Sequence, residues 1–102
     1  MSKQEENKLT VKCLKWLDSL ISEGRPIYYE HRSGNGGFNY KKGIPDLFVV
    51  VNGTHIEIEF KTIDGHLSPM QEKYQYIFEK SHITCVCPRS LEEFQEAIKK
   101  WL

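Results

Sequence analysis

Asn52-Gly53, set between the apolar runs "DLFVVV" and "HIEIEFK", restricts the fold of this chain more than any other feature. Asn-Gly is the dipeptide most favoured in a two-residue type I′ hairpin turn, so the two runs are expected to pair as antiparallel strands. With those two residues in the turn, the register follows. Val51 faces Thr54, Val50 faces His55, Val49 faces Ile56, Phe48 faces Glu57, Leu47 faces Ile58, and Asp46 faces Glu59. Side chains alternate across a strand, so Leu47, Val49, Val51, Ile56, Ile58 and Phe60 share one apolar face suited to a helix. The opposite face carries Asp46, Phe48, Val50, His55, Glu57, Glu59 and Lys61.

Two carboxylates directly opposite in a ladder, with Cβ atoms about 5 Å apart, repel one another. Lys61, two residues along the same face, is one source of compensating charge. A divalent cation taking oxygen ligands from both acids is another, and the two can coexist. A polar outer face with weak cross-strand ion pairs is the competing reading of the same charges. The surroundings favour a site. Pro45 cannot donate to a ladder and so places Asp46 at the first position of its strand, and "SGNGGFNYKKG", expected as a mobile loop, comes immediately before.

Around the hairpin, residues 4 to 22 carry Leu9, Cys13, Trp16, Leu17 and Leu20 at helical spacing. Glu6 stands at the N-terminal end of that stripe, from which its side chain can reach inward. "IYYEHR" and "ITCVCP" read as short strands. In "LSPMQEKYQYIFEKS", Ser68 is placed as an N-cap, Pro69 in the first turn and Gln71 at the capping-box position, opening a helix to about Lys80. Ser90 and Glu93 similarly open a last helix whose Leu91, Phe94, Ile98 and Trp101 face inward. The expected order is αβββαβα: an α/β fold with a mixed central sheet flanked by helices.

At 102 residues the chain is expected to form a single domain with a modest core, for which pairing with a second copy would be unsurprising. Hydrophobic content of 39% and charged content of 27% argue against wholesale disorder and against a membrane span. The start "MSKQEENKLT" shows neither a signal nor a transit peptide, giving an expectation of an intracellular, cytoplasmic protein. Three cysteines without metal-ligand spacing argue against a disulfide framework or structural zinc, and the four histidines show no ligand spacing either. Net charge is zero, so any basic patch must be local. Arg25, Arg32, Lys41 and Lys42 supply such a patch, interleaved with Tyr28, Tyr29, Phe38 and Tyr40, a composition suited to gripping phosphates and stacking on bases; Arg32, Asn35, Lys41 and Lys42 are the candidates for nucleic-acid contact.

The set "GIPDL", "IEFKT" and "GHLSPMQ" resembles the VRR-NUC branch of the PD-(D/E)XK nuclease superfamily. Asp46 stands for the D of the motif and Glu59-Phe60-Lys61 for its ExK. "EENKLTVKCLKWL" is similar to the first helix of the family, with Glu6 preceding the apolar stripe. The likeness covers nearly the whole chain and suits a compact standalone form.

The resemblance implies a restriction-endonuclease-like core and hydrolysis of DNA phosphodiesters with Mg²⁺ or Mn²⁺. It implies a metal held by Asp46, Glu59, the main-chain carbonyl of Phe60, and Glu6, for which Glu5 is the rival. Lys61 would orient the attacking hydroxide or bind the scissile phosphate, and Gln71 would position Lys61, water or phosphate, alongside or instead of its capping role. Ser68 is a cap that also borders the nucleic-acid side. A homodimer acting on branched DNA, four-way junctions in particular, in a bacterial or phage setting is the specific expectation, with no membrane and no small-molecule cofactor. A non-catalytic nucleic-acid-binding or assembly module of the same fold, an RNA-directed nuclease, and an α/β domain with a charged sheet face are the rivals.

Overall fold

A computed structural model describes residues 2–32 and 42–102, the elements running α1 (Ser2–Ser22), β1 (Ile27–His31), β2 (Leu47–Val51), β3 (Thr54–Ile58), α2 (Pro69–Lys80), β4 (Thr84–Val86) and α3 (Leu91–Lys99). This is the expected order. Most of the Gly-rich loop lies outside the described residues, and with it Asn35, Phe38, Tyr40 and Lys41.

The four strands form one sheet in the order β1-β2-β3-β4. β1, β2 and β3 are antiparallel neighbours, whereas β4 runs parallel to β3. A parallel pair needs a crossover, and α2 supplies it. Asn52 and Gly53 both take positive φ, 51° and 86°, as a type I′ turn demands. The β2–β3 register is the one the turn implies, from Val51 opposite Thr54 to Leu47 opposite Ile58.

One face of the hairpin, Leu47, Val49, Val51, Ile56 and Ile58, is wholly buried, and Phe60 continues it at 1% exposure. Cys13 and Leu17 of α1 and Phe94 and Ile98 of α3 complete this core, with Trp16 packed edge-on against Phe94. The amphipathic spacing of both helices therefore points at the face of the sheet that the alternation had marked. Cys13, Cys85 and Cys87 are free, and burial lifts the Cys13 thiol to about 12, leaving it an inert core group. No described helix is long and apolar enough to cross a membrane.

Candidate functional site

Regular β2–β3 pairing stops at Leu47 and Ile58, one step short of the acids. Beyond that point β3 follows β4: the amides of Glu59 and Lys61 donate to the carbonyls of Val86, at 3.0 Å, and Pro88, at 3.4 Å. The β2 side has no matching donor at Pro45, so the chain diverges there. Asp46 bridges the gap with its side chain, Oδ2 accepting from the Phe60 amide at 3.2 Å. Its carboxylate thus stands where the next strand carbonyl would be. Asp46 and Glu59 meet at the sheet end, as alternation implied, but across a splayed pair and not in a ladder.

Glu59 is 3% exposed. Its Oε2 accepts from the Gln71 side-chain amide at 3.0 Å, and its Oε1 is buried with no hydrogen-bond partner among the described residues. Burial, followed by the neighbouring Asp46 carboxylate, pushes the Glu59 carboxyl up to about 9; Lys61 acts in the opposite sense. Lys61 is largely buried, with its ammonium 4.0 Å from a Glu6 oxygen. Glu6, and not Glu5, is therefore the α1 acid that reaches this cluster; Glu5 lines an adjoining cavity of about 430 Å³ with Lys8, Lys12, Thr62 and Arg89.

The first turn of α2 presents Gln71 by a reciprocal capping box, Ser68 Oγ accepting from the Gln71 amide and Gln71 Oε1 accepting from the Ser68 amide. The capping role of Gln71 leaves its amide nitrogen available, and that Nε2 bonds Glu59, a contact other than the expected ones to Lys61, water or phosphate. Gly43 brings the chain against that turn. Its φ is +88°, and a Cβ there would lie 2.6 Å from Met70 Cβ and 3.2 Å from the Gln71 amide nitrogen. Gly43→Ala is expected to cost about 1–3 kcal/mol through strain and overpacking. A fall in the urea midpoint with an unchanged slope would show it; a midpoint matching the unsubstituted protein would contradict the close-packing account.

Lys42 is exposed beside Gly43, and Ser68 is exposed at the α2 cap. Arg32, expected on the nucleic-acid side, is turned elsewhere. Its guanidinium grips Glu57 with two bonds of 2.7 and 3.0 Å and lies 5.1 Å from the centre of the Phe48 ring. Glu57, expected on a polar outer face, is accordingly 2% exposed, and His55 Nε2 lies 2.6 Å from Oε2, the oxygen that Arg32 Nη2 also bonds. A carboxylate in mid-strand was a signal that a buried cation would accompany it. Arg89 was also missed: its Nη1 donates to the Thr62, Ile63 and Gly65 carbonyls and holds the turn between Lys61 and α2.

The donors at the sheet end are hard oxygens, and the orphaned Glu59 oxygen is the kind of group a cation satisfies. Among the described residues no three His, Cys, Asp or Glu side chains cluster as a ready-made metal cage. Two carboxylates completed by a main-chain carbonyl and water suit Mg²⁺ or Mn²⁺, which commonly retain water, so the donor set fits.

No family model matches the chain, and no curated protein does. Solved structures do. One described as a VRR_NUC domain superposes with a TM-score of 0.73 at 18% identity, covering 96% of this chain and 98% of its own. Another, a VRR_NUC domain protein, gives 0.75 at 17% identity, over 95% and 87%. What such distant chains share over nearly their full lengths is architecture, and this chain has the fold of the VRR_NUC domain.

Proposed function

We propose that the protein is a divalent-metal-dependent endonuclease that hydrolyses DNA phosphodiesters. The observation that carries the reading is the pairing of Asp46 with Glu59 at the open end of the sheet, with one Glu59 oxygen unpartnered among the described residues and the Lys61 ammonium in the same cluster. The VRR_NUC fold supports it. Asp46, Glu59 and the Phe60 carbonyl would hold Mg²⁺ or Mn²⁺, with Glu6 at the margin. Bound there, the ion supplies charge stabilisation at the phosphate and a more acidic water.

The remaining work falls to the side chains. Gln71 restrains one Glu59 oxygen and leaves the other for the ion. Lys61, held near Glu6, offers a point charge to a phosphate oxygen or to the attacking water. Lys42 and Ser68, both exposed near the start of α2, would meet the DNA backbone. Two copies would present two such sites, which suits cutting both strands of a branched substrate, four-way junctions first.

The test is cleavage of labelled four-way-junction, flap, single-stranded, linear duplex and matched RNA substrates with Mg²⁺, Mn²⁺ or EDTA, beside Lys61→Ala. Metal-dependent cutting of DNA, ranked highest on junctions and lost in the variant, is expected. Binding without cutting under any metal would reassign the chain to a non-catalytic nucleic-acid module, and preference for RNA would overturn the substrate.

A further inference from the structure

Arg32 makes contacts that a simple buried ion pair does not require. Besides its two bonds to Glu57, Nη1 donates to the Pro45 carbonyl at 2.9 Å, and the Arg32 main-chain amide donates to the Asp46 carbonyl at 2.7 Å. One residue at the end of β1 therefore holds the two consecutive carbonyls that flank the Asp46 backbone. Its anchor, Glu57, lies on β3, the strand that leads into Glu59, and faces Phe48 in the hairpin ladder. The pair is 12% and 3% exposed at the side chains.

Stability alone is a weak reason for such an arrangement. A buried ion pair is often replaceable by apolar residues of similar volume at no loss, because desolvating the charges offsets their attraction. A guanidinium, in contrast, can bind a carboxylate in a fork and still donate to a carbonyl, fixing several acceptors in one plane. Here those acceptors are the strand carrying one acid and the peptide unit carrying the other. β2 and β3 no longer pair at this point, so the ladder itself does not define the distance between Asp46 and Glu59. We propose that the Arg32–Glu57 clasp is a positioning device that sets the Asp46 carboxylate against Phe60 and Glu59, acting on cation binding through geometry and without touching the ion.

The inference rests on Asp46 and Glu59 being cation ligands, and its test separates the two ideas. The decisive variant is the double replacement Arg32→Met with Glu57→Leu, which removes both charges, keeps apolar volume and leaves no unpaired buried ion; Arg32→Lys is its milder companion. Two readouts are taken on the full chain: the amide proton shift of Phe60 in metal-free protein, which reports the bond to Asp46, and Mn²⁺ affinity by titration calorimetry. Asp46→Ala supplies the reference shift for a lost bond. The double variant is expected to stay folded with a modestly lowered melting temperature, because the Pro45 carbonyl loses its donor, to move the Phe60 amide in the direction of Asp46→Ala, and to bind Mn²⁺ about 10- to 100-fold more weakly, the range seen when residues behind metal ligands are changed. A double variant with an unmoved Phe60 amide overturns the clasp. An unmoved Mn²⁺ affinity beside a moved amide overturns its link to the cation. Should the unsubstituted protein fail to bind Mn²⁺ while the amide moves as expected, the cation reading is the part that fails.

Discussion

Asp46→Ala is expected to lower metal-supported DNA cleavage at least about 10³-fold, equivalent to about 4 kcal/mol of transition-state stabilisation. The residue does two jobs at once. In the proposed reaction it would give the ion one of two neighbouring carboxylates, and it bonds the Phe60 amide at the point where strand pairing stops. Its removal also takes away the charge that, after burial, contributes most to raising Glu59. The variant should therefore remain folded, with a Glu59 carboxyl that ionises more readily. Single-turnover cleavage of the best DNA substrate, run with circular dichroism of the same samples, checks this. Residual activity within tenfold of the unsubstituted protein would remove Asp46 from the site.

The second large effect is a dependence of metal-free stability on pH. Glu59 holds its proton in the folded state up to about 9, against an ordinary value of 4.5. Between those values the native protein carries more protons than the unfolded chain, so stability falls as pH rises through the window. It is intact below 4.5 as far as Glu59 is concerned, and the loss is complete above about 9. One proton limits the slope to about 1.4 kcal/mol per pH unit. Urea unfolding in EDTA from pH 5 to 9 should show midpoints descending, beyond what Glu59→Gln shows over the same range. Saturating Mn²⁺ should reverse the trend, adding about 2.7 kcal/mol at a hundredfold excess over its dissociation constant and releasing a proton on binding. Identical pH profiles for the protein and Glu59→Gln would show that Glu59 does not carry the extra proton.

Local chemistry explains what could be read in advance. The Asn52-Gly53 turn dictates its own register, and Ser68-Pro69 with Gln71 declares a helix start within four residues. The first signal sets Asp46 opposite Glu59, whereas the presence of Gln71 in the same site was implied by the family resemblance and not by local spacing; the structure bonds its side-chain amide to Glu59. Arg32 and Glu57 were not legible in the same way. Their contact depends on how β1 lies against β2, a pairing formed across the long stretch between His31 and Leu47, where no short turn sets the register. Glu57 consequently read as an outward residue by alternation, although an Arg from another strand makes its burial possible. The packing of Gly43 on Met70 is invisible for the same reason: it joins the segment before β2 to the first turn of α2, elements whose approach no local signal sets.

The hairpin also imposes an order of arrival on the parts of the site. Its two strands are separated by only two turn residues, so their contacts are among the local ones of the fold, although α1 and α3 are needed to bury their apolar face. On a chain made from its N-terminus, Asp46 and Glu59 can be brought together before Gln71, β4 and Arg89 have been synthesised. The mutual repulsion of the acids then falls at the end of the hairpin farthest from the turn, where it least opposes closure. Asn52-Gly53 begins the hairpin at one end, and the later half of the chain completes the charged end only after the strands that present it are already joined.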